Sequence, residues 1–469
     1  MKKLICTLFS VILFLITFAI VGCTPEVPVV PEPEPPLEPN WQITFNKAET
    51  IGSFLAKNDD AGNDTVTRFE VGGTDLGISV NLSNDKTLLL FGDTFADEYG
   101  FATGKNNWRS GVIGLSTDYD LSDNLSLDSF WTQEGFLDNA VAESPLWSPH
   151  RTQEKDEIKN DVVTRVGGET TKIYTGGIEI NDTIYVFYVS RRSLGNTQPE
   201  RKDSNNYGSC IKSTDGGTTW ERVWDLTWVD HSEGNTHPTE GGNSGEGTSA
   251  EKIAELVNYD IDGTYVEDAV DITNRQAYYF TQIYPIMGNG DGYVYILGRG
   301  GYRTSGIKLG RVKIEDFEDF SKYEYYAGVG PDGQRWVSDP ERAVFIVNRP
   351  LSNMSIVYNK YIDKWVMSYL DCTTGSGAPL VVSYSSKLTS GWSKPITLIE
   401  NAGETNGLYG GYLNERWVEE DGKTFYFVYS RYIRFTDDKT TDFYEPDNNT
   451  YRSYIAKATI DMVDLNAGK

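Results

Sequence analysis

Histidine and positive charge are scarce in this chain of 469 residues. The three histidines, His150, His231 and His237, form no HExxH or similar zinc spacing, so we expect no hydrolysis at a histidine-bound metal. Lys and Arg number 42 against 68 Asp and Glu, which gives a formal net charge of −26. A chain this acidic repels phosphate backbones. We therefore exclude nucleic acid as a partner and expect a neutral one, such as an uncharged glycan.

Cysteine is also rare, because the sequence contains only 4. Cys6 and Cys23 lie in an amino-terminal targeting segment. The remaining pair, Cys210 and Cys372, could form one disulfide or stay as free thiols, and two residues give no framework pattern. The segment Asp260-Ile-Asp262-Gly263 resembles half of a calcium loop but lacks the remaining ligands. We assign no metal and no cofactor.

The amino terminus has the pattern of a secretory signal. Lys2 and Lys3 precede an apolar run over residues 4–21, which ends in Ile-Val-Gly-Cys23. That ending resembles the bacterial lipobox, in which cleavage before the Cys is followed by lipidation of its thiol. We predict a signal peptide over 1–22 and a lipid on Cys23. An uncleaved membrane anchor is the alternative, since the run could barely span a bilayer.

Proline is concentrated just after this segment, at positions 25, 28, 31, 33, 35, 36 and 39. Such a stretch is an extended, semi-rigid spacer. We predict a linker over 23–44 that holds a folded domain, 45–469, away from a membrane. The expected location is the bacterial outer membrane, with the domain facing the periplasm or the cell surface.

The rest of the chain lacks long amphipathic helix patterns and is rich in short β-runs separated by Gly, Asp and Asn turns. Three strands in the same order recur five times. The segment near 43–54 could supply the missing outer strand of the last unit and close a ring. The pattern predicts an all-β fold, a five-bladed β-propeller. The predicted first, second and third strands are 77–82, 88–91 and 111–117; 175–180, 184–189 and 208–213; 277–286, 293–297 and 305–314; 354–358, 365–370 and 379–385; 407–414, 424–429 and 451–458.

The stretch from Ser213 to Trp220 matches the Asp-box, S-x-D-x-G-x-x-W, which is known from sialidases and other propellers. Asp215 would hydrogen-bond turn amides, Gly217 would take a positive φ and Trp220 would pack between sheets. We interpret the box as structural, so it does not indicate a sialidase.

Two carboxylates flank the first predicted hairpin. If it turns at Asn84-Asp85, then Asp75 and Asp93 are equally far from the turn and face each other at one end. Paired carboxylates at a cleft mouth suit glycoside hydrolysis, where one protonates the leaving oxygen and the other acts on water or on the anomeric carbon. The alternative is that Asp75 caps a turn and Asp93 hydrogen-bonds a Gly-rich loop.

Further candidates flank other strands. Trp108 and Arg109 follow the first hairpin and could bind sugar, although Arg109 could instead pair with an acidic side chain. Tyr284 and Arg299 flank strands of the third unit, as does Arg303. Glu143 is a third carboxylate near the second unit, for which a turn role is the better interpretation.

The segments around Asp75 and Asp93 resemble a known family. Gly73-Thr-Asp75-Leu-Gly77, Phe91-Gly-Asp93-Thr-Phe95 and Trp108-Arg-Ser-Gly-Val112 are similar to the unknown-function family 4185, now glycoside hydrolase family 183. Tyr409 and Tyr412 lie in a Tyr-Gly segment similar to one in that family's last blade. The resemblance covers most of residues 65–460.

The resemblance implies a five-bladed propeller and an endo-D-arabinanase. The implied substrate is the α-linked D-arabinofuranose of mycobacterial arabinogalactan and lipoarabinomannan. The family's two catalytic aspartates correspond to Asp75 and Asp93, and Trp108, Arg109, Tyr284, Arg299, Tyr409 and Tyr412 are the expected substrate-binding residues.

We expect an inverting mechanism, in which one Asp activates water and the other protonates the leaving group. The sequence does not say which residue does which. Rival interpretations are an exo-arabinosidase, a sialidase-like enzyme, for which no arginine triad is evident, and a glycan-binding lipoprotein without catalysis.

Overall fold

Short antiparallel strands dominate the computed structural model of the chain. It describes residues 40–55, 58–96, 107–146, 169, 171–191, 205–230, 250–301, 303–374, 377–401, 406–433 and 451–466. Within these ranges there are 24 strands, which form five sheets. The two α-helices described are short, α1 (Thr65–Phe69) and α2 (Ala250–Leu256). The sheets are the five blades of a β-propeller, which confirms the predicted fold class.

The strands follow one another within each blade. Blade 1 contains β3 (Leu76–Asn81), β4 (Thr87–Phe91), β5 (Ile113–Ser116), β6 (Ser129–Thr132) and β7 (Gly135–Leu137). Blade 2 contains β8 (Thr171–Ile180), β9 (Thr183–Arg191), β10 (Asn205–Ser213) and β11 (Glu221–Val229). Blade 3 contains β12 (Gln282–Met287), β13 (Tyr293–Arg299), β14 (Ile307–Lys313), β15 (Glu324–Gly330), β16 (Gly333–Val337) and β17 (Phe345–Val347). Blade 4 contains β18 (Leu351–Asn359), β19 (Lys364–Asp371), β20 (Leu380–Ser385) and β21 (Ile396–Ile399).

Blade 5 closes the ring by joining both ends of the described chain. It contains β22 (Asn406–Glu419), β23 (Thr424–Ile433) and β24 (Tyr451–Asp464), and β1 (Trp41–Phe45) and β2 (Glu49–Ser53) pair with β24. The expectation that a segment near 43–54 completes the last blade is therefore confirmed. Closure of this kind leaves few open sheet edges.

The innermost strands of the five blades, β3, β8, β12, β18 and β22, contact one another in a closed cycle around the axis. Buried aliphatic and aromatic side chains fill the space between neighbouring blades, with Trp228 and Trp417 among the largest fully buried ones. The second strand of each blade is more apolar than the innermost one, as in β4, where all five residues of Thr-Leu-Leu-Leu-Phe are buried. The innermost strands bring their amino-terminal ends to one mouth of the axis.

The Asp-box has the local role predicted for it. It forms the turn between β10 and β11, where Ser213 Oγ donates to Asp215 Oδ1 (2.8 Å) and the Thr219 amide donates to the same oxygen (2.9 Å). Gly217 has a φ of 90°, which favours glycine. Cys210 and Cys372 are both free thiols.

Gln42–Val463 form one compact unit, and a second comprises Met1–Trp41 and Asp464–Lys469. Of the second, the structure describes only a few residues, among which the Asn40 amide donates to Asp464 Oδ1 (2.9 Å). The predicted signal peptide, Cys23 and most of the linker lie outside the described residues. Neither described helix is long and apolar enough to cross a bilayer.

Candidate active site

The first hairpin brings Asp75 and Asp93 to the same mouth of the axis. Leu76 pairs with Phe91, and the Gly92 amide donates to the carbonyl of Asp75 (3.0 Å). Beyond this pairing, the hydroxyls of Thr74 and Thr94 lie 2.7 Å apart, and Gly73 pairs with Phe95. The ladder therefore continues past the strand ends, and it holds both aspartates on one side of the propeller.

A bulge at the start of β3 directs Asp75 towards the axis. The register shifts between Leu76 and Ile78, and Leu76 has a φ of 68°, which is rare for a branched residue. Such a conformation costs about 1–3 kcal/mol and persists only where its surroundings enforce it. The Leu76 amide donates to Ser430 Oγ in β23 (3.1 Å), and a Cβ at Gly77 would lie 2.5 Å from Val428. Blade 5 thus maintains the strained backbone beside Asp75.

Glycine at position 92 makes room for the Asp75 carboxyl. A Cβ built at Gly92 would lie 2.0 Å from Asp75 Oδ1, far inside van der Waals contact. That oxygen is buried and has no hydrogen-bond partner in the described part of the chain. The Gly-Asp-Thr segment therefore supplies one aspartate and the space that the other one needs.

Both aspartates line a cavity of about 90 Å³ at this mouth, which we call the Asp75 cavity. Each of the five blades contributes to its wall. The lining residues are Asp75, Leu76 and Asp93 from blade 1; Thr171, Ile173, Val189 and Arg191 from blade 2; Gln282 and Arg303 from blade 3; Ser352 and Asn353 from blade 4; and Tyr409, Gly410, Tyr412 and Tyr451 from blade 5.

Burial controls the charge state of Asp75, because a carboxylate loses solvation in this cavity. Desolvation, together with the negative charge of Asp93, raises the pKa of Asp75 to about 7. A hydrogen bond with Tyr451 and the positive charge of Arg303 oppose the rise. A large share of the Asp75 side chains therefore carries a proton near neutral pH.

Asp93 is equally buried, but one of its carboxyl oxygens accepts two hydrogen bonds from neighbouring side chains. Its Oδ1 accepts hydrogen bonds from the Thr171 hydroxyl (2.7 Å) and the Trp108 indole N–H (3.0 Å). Desolvation raises the pKa of Asp93 to about 6, while these two hydrogen bonds and the charge of Arg191 hold it down. Of the two groups, Asp93 loses its proton first.

A pair of carboxyls with different proton affinities can divide acid and base roles between them. Between about pH 6 and 7 the favoured state has a protonated Asp75 and an ionised Asp93. Because the two groups interact, the protons leave in two steps whose apparent pKa values belong to the pair. One group can give a proton to a leaving oxygen while the other takes a proton from water or stabilises positive charge.

Three of the predicted binding residues contact this site. Trp108 bonds to Asp93 and stacks on Phe95, with ring centroids 5.8 Å apart. Tyr409 and Tyr412 line the Asp75 cavity. The Tyr409 ring lies under the guanidinium of Arg303, at 4.8 Å.

Arg109 and Arg299 are buried beside the site and do not line the cavity. The guanidinium of Arg109 donates to the carbonyls of Ala142 (2.6 Å) and Glu70, so it fixes loops behind Asp93. That of Arg299 donates to Leu351 O (3.1 Å) and to the side chains of Gln282 and Asn353, both of which line the cavity. Desolvation lowers the pKa of each arginine to about 10. Neither arginine therefore reaches a ligand directly, and each instead holds backbone or side chains that surround the cavity.

The structure does not bring Tyr284 to the aspartates. It lies further along β12, where it lines a separate cavity at the opposite mouth together with Glu415. Glu143 accepts a hydrogen bond from the Gln133 amide (2.8 Å), which agrees with the turn role preferred for it.

Sequence reasoning missed Thr171, Arg191 and Tyr451, although all three line the Asp75 cavity. Thr171 begins β8, Arg191 ends β9 and Tyr451 begins β24. The strand-end criterion that selected Asp75 and Asp93 would have found them if it had been applied to every blade. No group of three or more His, Cys, Asp or Glu among the described residues is arranged to hold a metal ion.

The chain is distantly similar to several solved structures. A candidate hydrolase from Bacteroides ovatus is 14% identical, with a TM-score of 0.47 over 84% of this chain and 88% of its own. A GH43 protein from Bacillus licheniformis is 11% identical, with a TM-score of 0.39 over 84% of this chain and 53% of its own. An α-L-arabinofuranosidase from Podospora anserina is 9% identical, with a TM-score of 0.37 over 90% of this chain and 97% of its own.

No curated protein matches the chain. A family model does match it, over residues 60–446, and this span contains every strand of blades 1 to 4 and the whole lining of the Asp75 cavity except Tyr451. Since the match covers most of the sequence, the protein belongs to the family described as a domain of unknown function, DUF4185.

Proposed function

We propose that this protein is a glycoside hydrolase that cleaves α-D-arabinofuranosidic linkages inside D-arabinan. The observation that carries the hydrolase assignment is the buried carboxyl pair, in which the pKa values of Asp75 and Asp93 are raised to about 7 and about 6. The choice of D-arabinan rests on the motifs around Asp75, Asp93 and Trp108, which resemble glycoside hydrolase family 183. A neutral arabinan also suits a chain with a net charge of −26.

In this mechanism Asp75 is the general acid. Its proton passes to the glycosidic oxygen as the bond from that oxygen to the anomeric carbon breaks. Asp93 is the general base, which accepts a proton from water while the water oxygen bonds to the anomeric carbon. The result is inversion, with one water consumed and a new reducing end formed. The ionised Asp93 also stabilises the oxocarbenium-like transition state.

The decisive experiment measures reducing ends and oligosaccharides released from purified D-arabinan. The wild-type protein should release them, and Asp75→Asn and Asp93→Asn should lose activity by about 10²–10⁴. The anomer formed first, followed by NMR, tests inversion. A wild-type protein that binds arabinan without cleaving it would support the glycan-binding alternative, and cleavage of a different glycan would refute the substrate assignment alone.

We also propose that a lipid on Cys23 anchors the mature protein to the outer membrane. The support is the Ile-Val-Gly-Cys23 motif after an apolar run, followed by the proline-rich spacer. Mass spectrometry of the mature amino terminus should find a diacylated or triacylated Cys23, and Cys23→Ala should leave the membrane fraction. A Cys23→Ala protein that remains there through an intact amino-terminal segment would support the uncleaved anchor.

A further inference from the structure

The axis of the propeller has a second cavity at the mouth opposite the aspartates. All five innermost strands run from the Asp75 cavity to this second cavity. In β12, for example, Gln282 lines the Asp75 cavity and Met287 lines the second one. In β18, Ser352 lines the Asp75 cavity and Tyr358 lines the second one. The two cavities have no lining residue in common. A molecule bound at the second mouth is therefore out of reach of Asp75 and Asp93.

The second cavity is the larger of the two, at about 310 Å³ against about 90 Å³. A neighbouring cavity of about 270 Å³, between blades 4 and 5, shares Tyr358, Asn414 and Glu415 with it. Together they form a groove from the axis towards the rim. Each is near the lower limit of small-molecule sites, so the groove has room for a chain of a few small units.

The lining of the second cavity disfavours an anionic ligand. No Lys or Arg belongs to it, whereas Glu179 and Glu415 do. Lys360 and Arg416 line the neighbouring cavity, where Arg416 already donates to Leu82 O (2.9 Å) and Asp421 supplies an opposite charge. Glu179 accepts from the Ser83 amide (2.5 Å), but Glu415 has neither an ion pair nor a hydrogen bond within the described ranges. Its exposed carboxylate is an acceptor for donors such as hydroxyls.

Two aromatic rings form one wall of the second cavity. Tyr358 and Trp365 meet edge to face, with centroids 5.2 Å apart and an interplanar angle of 74°. The indole N–H of Trp365 makes no hydrogen bond to any residue that the structure describes, although Trp365 is only 8% exposed. A largely buried aromatic with an unused donor, in the same cavity as an unused acceptor, suits a ligand that has both apolar faces and hydroxyl groups.

We propose that the second cavity and its groove are a non-catalytic binding site for a neutral oligosaccharide. Sugar C–H faces would pack on Tyr358 and Trp365, and hydroxyls would bond to Glu415 and to the Trp365 N–H. That the bound chain is the same D-arabinan rests on the proposed function. The site would then hold the polymer on one face of the propeller while the other face cuts it.

The test uses the full-length protein carrying Asp75→Asn, which prevents turnover during titration. Calorimetry with D-arabinan tetra- to hexasaccharides should find two sites. Adding Tyr358→Ala or Glu415→Gln should weaken one of them by about tenfold or more. Tyr265→Ala is the matched control, because Tyr265 is 48% exposed and lines neither cavity. It should change neither site.

Kinetics with the wild-type background separate this site from the active site. Tyr358→Ala and Glu415→Gln should lower the amount of protein bound to insoluble arabinan and leave kcat/KM on a short soluble substrate unchanged. Since Glu415→Gln alters an exposed side chain, it keeps the fold if Tyr358→Ala does not. Unchanged binding in a folded Glu415→Gln protein overturns the proposal.

Two controls with other probes distinguish the remaining outcomes. Calcium chloride titrated alone should give no heat, and stoichiometric calcium binding that Glu415→Gln removes would overturn the proposal in favour of a cation site. Neutral xylan and β-glucan oligosaccharides serve as further probes. If one of these binds at Tyr358 and Glu415 while arabinan is neither bound nor cut, the sugar site stands and the proposed function falls.

Discussion

Asp75→Asn should stabilise the fold while it removes activity. The pKa of Asp75 is raised from 3.8 to about 7, chiefly by desolvation, so the folded protein resists ionising a group that the unfolded chain ionises freely. Between these values the folded state binds more protons than the unfolded state, and the free energy of unfolding therefore falls as pH rises. At about 1.4 kcal/mol per pKa unit, the wild-type protein loses on the order of 4 kcal/mol between pH 4 and pH 7. Asparagine cannot ionise, so the Asp75→Asn protein should not lose this free energy of unfolding as pH rises.

The assay is thermal unfolding of both proteins between pH 4 and pH 8. For a unit of this size, a difference on the order of 4 kcal/mol corresponds to roughly 4–5 °C in Tm at pH 7, and the two Tm values should converge towards pH 4. The turn-capping alternative predicts the opposite sign, because a carboxylate that holds turn amides stabilises the fold. An Asp75→Asn protein that is less stable than wild type at pH 7 would refute our account of this residue.

Asp215→Asn provides the matched control for that sign. Burial raises the pKa of Asp215, but hydrogen bonds from Thr219 and Ser213 outweigh this and hold the pKa below its usual value. The stability that Asp215 contributes is present above the unfolded pKa and is lost as pH falls. We therefore expect Asp215→Asn to lower the Tm at pH 7 and to leave hydrolysis unchanged.

The remaining predictions concern the same pair. The kcat/KM for arabinan should be bell-shaped, rising as Asp93 ionises near pH 6 and falling as Asp75 loses its proton near pH 7, and a profile that is flat from pH 5 to 8 would contradict the assignment. Arg303→Gln should move the basic limb to higher pH, because the Arg303 charge lowers the pKa of Asp75; an unmoved limb would show that the charge is screened. Thr171→Val should move the acidic limb upwards by removing a hydrogen bond to Asp93, which the same pH series measures. Gly92→Ala should cost at least about 10²-fold in activity, since its Cβ would displace the Asp75 carboxyl, and normal turnover in a folded Gly92→Ala protein would contradict the packing.

The sequence alone determined the elements whose causes are local. Alternating apolar runs and Gly, Asp and Asn turns predicted the strands, and their fivefold recurrence predicted the number of blades. The facing of Asp75 and Asp93 followed from one hairpin, in which the position of the turn sets the register. The Asp-box turn at Ser213 was also predictable, because its bonds join residues a few positions apart.

The tertiary structure decided what surrounds these elements. Thr171 and Arg191 reach Asp93 from blade 2, and Arg303 and Tyr451 reach Asp75 from blades 3 and 5, which no local pattern connects to blade 1. The position of Tyr284 could not be predicted either, because it depends on the distance that β12 covers along the axis before it reaches this residue. Nor could the burial of Arg109 and Arg299, which lie behind the cavity wall. Desolvation is a property of the closed ring, since five blades must meet before water leaves the cavity. For that reason the sequence could name both carboxyls, whereas only the assembled propeller distinguished the one that keeps its proton from the one that gives it up.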